Sequence, residues 1–167
     1  AIGAPWPDWS INGLLATIDS WLTDYLMSAT SQGDIDQLNL ATLLRASLPW
    51  PEGADLDNIA PVVFRLPNGR DSEISYLDDN GEPRPTVRAR VQDVFGLDTH
   101  PAVAHMPITF KLLSPADRPI QVTSDLPGFW RGSWSDVRKE LAGRYPKHRW
   151  PEHPHKATPG RLGNDDD

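Results

Sequence analysis

Six basic side chains near the C-terminal end of the sequence are the strongest candidates for chemistry. We call this set the basic segment; its members are Arg138, Lys139, Arg144, Lys147, His148 and Arg149. Lys and Arg neutralise phosphate groups, and a planar guanidinium can donate two parallel hydrogen bonds to one phosphate. The same cations also suit the C-terminal end of a helix or a solvated face. We predict an electrostatic contact with nucleic acid, and keep a docking surface for protein as the alternative.

Two tryptophans stand beside these cations and could stack on bases. The chain has seven Trp, and aromatic residues next to basic ones are typical of proteins that bind single strands. Trp130 and Trp150 adjoin Arg131 and Arg149, so we take both as possible stacking residues. Trp134 instead shares an apolar helical stripe with Val137 and Leu141, which predicts that it is buried.

Nothing in the sequence predicts catalysis, a metal or a bound cofactor. His148, His153 and His155 could ligate a metal, but no Cys joins them, whereas structural zinc prefers a tetrahedral set of Cys and His. The chain has no G-x-x-x-x-G-K-[ST], G-x-G-x-x-G, G-x-S-x-G or H-E-x-x-H motif. We therefore assign no catalytic residue and no cofactor to this chain.

Composition predicts one soluble domain with an uneven charge. Hydrophobic residues make up 38% of the 167, Cys is absent, and no apolar run approaches the roughly 20 residues of a membrane span. The cytoplasm is the expected compartment, and the opening residues suggest a segment cut from a longer protein. Residues 1–130 hold 8 Lys and Arg against 17 Asp and Glu, whereas residues 131–161 hold 8 against 3. This separation suggests an oriented partner.

Apolar spacing predicts helices at both ends of the chain. The i, i+3, i+4, i+7 pattern runs through 8–29 and predicts one amphipathic helix that ends at 31–33. A second helix is predicted over 40–48 with Asn39 as its N-cap, followed by a helical turn at 55–59. The last helical element covers 126–143, with a capping-box-like start at Ser133 and Asp136.

Between these helices, the apolar residues recur at every second position. Runs at 62–66, 73–77 and 86–91 are separated by Asn-Gly pairs at 68–69 and 80–81, a strong hairpin signal. Further strands are predicted at 108–113 and 120–123, and a short helix at 91–95. We predict an α+β fold with N-terminal helices, an antiparallel β-meander sheet of 4–5 strands, and a C-terminal helix packed on the sheet.

Two long motifs then identify a family. Residues 113–130 read LSPADRPIQVTSDLPGFW and residues 137–154 read VRKELAGRYPKHRWPEHP. Together they closely resemble the C-terminal end of bacterial HrpB-type ATP-dependent helicases of the DExH-box class, superfamily 2. His153 stands where that family usually has Asp. The resemblance extends more loosely over residues 9–154.

The resemblance implies what the residues alone do not. It implies an ATP-dependent, RNA-favouring helicase whose motor lies upstream and uses ATP and Mg²⁺, with this chain as its non-catalytic accessory domain. We place that domain at 1–151 and a Pro- and His-rich tail with an acidic end at 152–167. The domain would assist nucleic-acid handling or pack on the motor. The alternative function is a protein-interaction module with no nucleic-acid contact.

Overall fold

The computed structural model describes residues 6–160 and divides the chain into two compact units, 1–59 and 60–167. The first unit is helical. It contains α1 (Ile11–Ala16), α2 (Ile18–Trp21), α3 (Thr23–Ser28), α4 (Gln32–Asp36), α5 (Leu40–Ala46), a 3-10 turn (Glu52–Asp55) and α6 (Leu56–Ile59). The N-cap predicted for α5 is confirmed, because the Asn39 side chain accepts a hydrogen bond from the Thr42 amide at 3.1 Å.

The single helix predicted over 8–29 is wrong in its continuity. The segment is broken into α1, α2 and α3 at Thr17 and Leu22. The Thr17 hydroxyl donates to the Gly13 carbonyl at 2.9 Å, and the Ser20 hydroxyl donates to the Thr17 carbonyl at 2.7 Å. Hydroxyls that bond to nearby backbone carbonyls bend helices. The spacing of hydrophobic residues does not show that these hydroxyls compete for the backbone carbonyls of the helix.

The second unit is built on a five-stranded sheet. Its strands are β1 (Val63–Arg65), β2 (Asp71–Leu77), β3 (Pro83–Arg90), β6 (Thr109–Leu113) and β7 (Pro119–Thr123), in spatial order β1-β2-β3-β6-β7. A small hairpin pairs β4 (Ala102–Val103) with β5 (Met106–Pro107). Both Asn-Gly turns are confirmed: Gly69 and Gly81 have φ of +80° and +81°, which Gly adopts without steric cost.

The α+β class is confirmed, but the sheet is mixed rather than antiparallel throughout. β3 pairs with β6 in parallel, with Val87 opposite Phe110. A parallel pair needs a crossover of a dozen or more residues, and residues 91–108 supply it. This crossover holds a 3-10 helix (Val91–Val94), where a short helix was predicted over 91–95, and the β4–β5 hairpin in place of an α-helix.

His100 links this crossover to the start of α7 (Leu126–Arg131) through hydrogen bonds. The Leu126 amide donates to His100 Nδ1 at 3.1 Å, so Nε2 carries the proton and donates to the Ile108 carbonyl at 2.7 Å. Leu126 and Ile108 are both fully buried. The half-buried imidazole therefore gives hydrogen-bond partners to one donor and one acceptor of fully buried residues.

The C-terminal helical element packs on the sheet, as predicted, but it is two helices. They are α7 (Leu126–Arg131) and α8 (Trp134–Arg144), separated at Gly132. The capping box expected at Ser133 is wrong, since the Ser133 side chain makes no capping bond. Asp125 instead caps α7 by accepting from the Gly128 amide at 2.9 Å.

Residues from the sheet, the crossover and both helices share one core. It includes Val87, Phe95, Phe110, Leu126 and Trp134, all 2% exposed or less. The predicted tail also contributes, because Pro154 and Ala157 are buried and the Pro154 carbonyl accepts from the Gly96 amide at 2.9 Å. Residues 161–167 of that tail lie outside the described residues. No helix within 6–160 is long and apolar enough to cross a membrane.

The predicted burial of Trp134 is confirmed and gives a stability test. Trp134→Ala should lower the free energy of unfolding by about 3–5 kcal/mol, because it leaves a cavity and an unpaired Pro151 carbonyl. Trp50→Ala is the matched control, since Trp50 is 83% exposed, and should change stability by about 0.5 kcal/mol at most. Urea unfolding followed by circular dichroism measures both. A loss below about 1 kcal/mol for Trp134→Ala would contradict this packing.

The His100 bridge gives a second stability test. His100→Phe keeps an aromatic ring beside Phe110, whose centroid lies 5.9 Å away, but removes both hydrogen bonds. It should cost about 2 kcal/mol or more, because two buried backbone groups lose their partners. His153→Phe, at an exposed position, is the control. Equal unfolding midpoints for the two variants would show that the bridge contributes nothing.

Candidate nucleic-acid interface

The basic segment begins on α8 and continues into the turn after it. Arg138, Lys139 and Arg144 lie on the helix, and the other three members follow Tyr145, the helix C-cap. Lys139, Arg144, Lys147 and Arg149 are exposed, whereas Arg138 and His148 are half-buried. The structure therefore leaves four of the six side chains accessible to a large anion.

The helix directs its cations apart. Arg138 and Arg144 are six positions apart, which separates them by about 120° around the axis. Arg138 faces the C-terminal segment, where its Nη1 donates to the Trp150 carbonyl at 3.5 Å. Arg144 lines a separate shallow groove beside Arg118. The basic segment is thus not one flat patch.

Two members of the segment approach carboxylates on the same helix. Lys139 lies 3.5 Å from Asp136, and Arg144 lies 3.4 Å from Glu140. All four side chains are more than half exposed, and exposed pairs of this kind contribute about 0–1 kcal/mol. These pairs would give way to a phosphate at little cost.

His148 and Trp150 shape the turn. The His148 ring lies between Tyr145 and Trp150, with centroid separations of 6.3 and 6.1 Å. Trp150 Nε1 donates to the Tyr145 carbonyl at 2.9 Å, and the ring packs against the core while remaining half-buried. His148 Nδ1 is buried without a hydrogen-bond partner among the described residues. Both side chains position the backbone that carries Lys147 and Arg149.

Trp130, the other possible stacking residue, lies in the core. It is 7% exposed, and its Nε1 donates to the Leu97 carbonyl at 3.0 Å. Its ring packs against Phe95, Phe129 and Trp134 at centroid separations of 4.9–6.2 Å. This packing occupies the faces that a base would need.

A second basic site, which the sequence did not indicate, lies at the junction of α7 and α8. It is a groove of about 360 Å³ whose lining includes Arg131, Ser135, Arg138, Glu152, His153 and His155, and we call it the histidine groove. The rings of His153 and His155 are 6.0 Å apart. Within 6–160, no three His, Cys, Asp or Glu side chains come close enough to hold a metal ion.

Three comparisons with known proteins agree with one another. Residues 21–154 match the family HrpB_C, described as ATP-dependent helicase C-terminal. The "ATP-dependent RNA helicase HrpB" of Escherichia coli (strain K12) is 37% identical over 158 residues, which is 93% of this chain and 19% of that protein. The chain thus spans about one fifth of its curated relative.

Two solved structures share this fold. The crystal structure of the E. coli DExH-box NTPase HrpB matches with a TM-score of 0.83 and 37% identity, over 95% of this chain and 19% of that one. The crystal structure of the E. coli DEAH/RHA helicase HrpB matches with a TM-score of 0.66 and 35% identity, over 87% and 18%. As the motifs at 113–130 and 137–154 indicate, the chain belongs to the HrpB-type family of ATP-dependent helicase C-terminal domains.

Proposed function

We propose that this chain is a non-catalytic accessory domain of an ATP-dependent helicase and that its basic segment gives single-stranded RNA an electrostatic contact. The observation that carries the proposal is the exposure of Lys139, Arg144, Lys147 and Arg149 at the end of α8 and in the following turn. Membership of a helicase family supplies the setting. The absence of any nucleotide-binding motif from the chain supports an accessory role.

The chemistry of the contact is the neutralisation of backbone phosphates. Each cation that replaces a condensed counterion releases it to solvent, so binding is independent of sequence and weakens as salt rises. Trp150 remains a candidate for stacking because it keeps exposed surface beside Arg149. We leave Trp130 out of the proposal because it is buried.

RNA is the favoured ligand because the E. coli relative is named an RNA helicase. ATP and Mg²⁺ belong, in this proposal, to a motor outside these 167 residues. The chain contains no phosphate-binding loop of the G-x-x-x-x-G-K-[ST] type with which to hold them. The residues of this chain would bind and orient a strand, and the motor would hydrolyse ATP.

A docking role is the second candidate, and a charge observation favours it. Residues 1–130 carry 9 more acidic than basic residues, which repels phosphate over most of the sequence. The basic segment would then meet an acidic surface of the motor instead of RNA. The two roles differ in whether the chain alone binds nucleic acid.

A salt titration of RNA binding tests the proposal. Lys147→Gln/Arg149→Gln should reduce the slope of log K against log salt by about 0.7 for each phosphate that is no longer neutralised, the value for single strands. Arg65→Gln/Arg70→Gln removes the same charge from two other exposed positions and should leave the slope unchanged. Fluorescence anisotropy with a labelled single-stranded RNA, and with DNA of the same sequence, measures both variants.

Two results would contradict RNA contact at the basic segment. One is no binding of the wild-type chain to RNA or DNA at low salt; the other is an equal reduction of slope in the control variant. In the whole helicase, a lower melting temperature or ATPase rate in Lys147→Gln/Arg149→Gln, without an RNA effect, would support docking. If the whole enzyme is also unchanged, both roles fail and the segment is a solvated face.

A further inference from the structure

The histidine groove combines side chains from three separate parts of the chain. Arg131 ends α7, Arg138 lies one turn into α8, and His153 and His155 follow the basic segment. The break at Gly132 turns the chain between the two helices, so both arginines line one groove. Its volume of about 360 Å³ is within the range of sites that hold small ligands.

The groove holds positive charge that no ion pair neutralises within residues 6–160. Neither Arg131 nor Arg138 forms an ion pair with another residue of the described chain. Glu152 is the one carboxylate among the lining residues. Two guanidinium groups in one groove repel each other, and a bound anion would remove that repulsion.

The donors present suit a phosphate. Guanidinium groups offer planar, paired N–H donors that match phosphate oxygens, and histidine rings and the Ser135 hydroxyl add further N–H and O–H donors. Trp130 and Trp134 form part of the wall but are buried, so the exposed ligand groups are the polar side chains. A metal cation is disfavoured in the groove because the two arginines would repel it.

We propose that the histidine groove is a phosphate-binding site, distinct from the exposed cations at the end of α8. The shared chemistry is a phosphate group, carried either by the backbone of an RNA strand or by a small phosphorylated molecule. Its assignment to RNA rests on the proposed function, whereas the binding of phosphate does not. Arg131 is the principal ligand because it is exposed in the groove and unpaired within the described chain.

Nuclear magnetic resonance of the whole 167-residue chain tests the site with inorganic phosphate as the probe. At constant ionic strength set by chloride, phosphate should saturably shift the Arg131 Nε–Hε signal and the ring signals of His155. Arg131→Gln should weaken phosphate binding at least tenfold. Arg70→Gln, an exposed arginine outside the groove, should leave the affinity unchanged. His155→Gln is a second groove variant, which tests the same site while Arg131 is kept.

The RNA titration then identifies the source of the phosphate. If Arg131→Gln also lowers the salt slope of RNA binding by about 0.7, an RNA phosphate occupies the groove. If Arg131→Gln abolishes phosphate binding while RNA binding is unchanged, a small phosphorylated ligand occupies it. The site is overturned if phosphate produces no saturable shift, or if Arg131→Gln and His155→Gln both bind phosphate as the wild type does. These outcomes hold whether or not the wild-type chain binds RNA.

Discussion

The packing of four aromatic rings is the interaction on which the second unit depends. Phe95, Phe129, Trp130 and Trp134 meet with centroid separations of 4.9–6.2 Å, mostly edge to face. They come from the crossover, from α7 and from α8, so one cluster fixes three elements. A buried indole also needs an acceptor for its N–H, and the carbonyls of Leu97 and Pro151 provide these acceptors at 3.0 Å. The cluster therefore also fixes the backbone within the crossover, at Leu97, and after the basic segment, at Pro151.

This constraint explains why the polar site lies where it does. Trp130 and Trp134 are buried on either side of Gly132, so Arg131 between them is directed outward. The bond from Trp134 to the Pro151 carbonyl brings residues 152–155 beside the same helix junction. The burial of the two tryptophans thus brings together the polar side chains that line the histidine groove. The residues that hold the groove together are core residues, and those that would bind a ligand are their sequence neighbours.

Sequence reasoning succeeded at two turns and one helix cap, where local chemistry decides the structure, although it missed the local hydroxyl bonds that interrupt the helix predicted over 8–29. Asn68-Gly69 and Asn80-Gly81 fix their turns through the left-handed conformation of Gly, and Asn39 caps its helix through one side-chain bond. It failed where contacts between residues far apart in the sequence decide the structure. The parallel pairing of Val87 with Phe110 follows from the path of the crossover, which no periodicity describes. The sequence shows the high density of cations in the basic segment. The different directions of Arg138 and Arg144 depend on helix phase. The histidine groove depends on a contact between residues 134 and 151.

The distribution of ion pairs shows which cations remain available to a ligand. In the sheet, Arg65, Arg90 and Lys111 each approach a carboxylate to 2.9 Å, and Asp117 binds both Nε and Nη2 of Arg90. Asp117 raises the pKa of Arg90 further by this hydrogen bonding. A phosphate that approached these cations would have to displace an existing partner.

The C-terminal cations are arranged differently. The pairs on α8 are longer, at 3.4 and 3.5 Å, and lie in solvent, where the attraction between the charges is weak. Within the second unit, residues 60–130 hold 7 Lys and Arg against 9 Asp and Glu, whereas 131–161 hold 8 against 3. Both the sign of the charge and the weakness of the existing pairs therefore favour the segment that begins at Arg131, rather than Arg65, Arg90 and Lys111, for the anion contact that we propose. A strand bound there would contact α8 and the turn after it, which the aromatic cluster and the bond from Trp134 to the Pro151 carbonyl connect to the core.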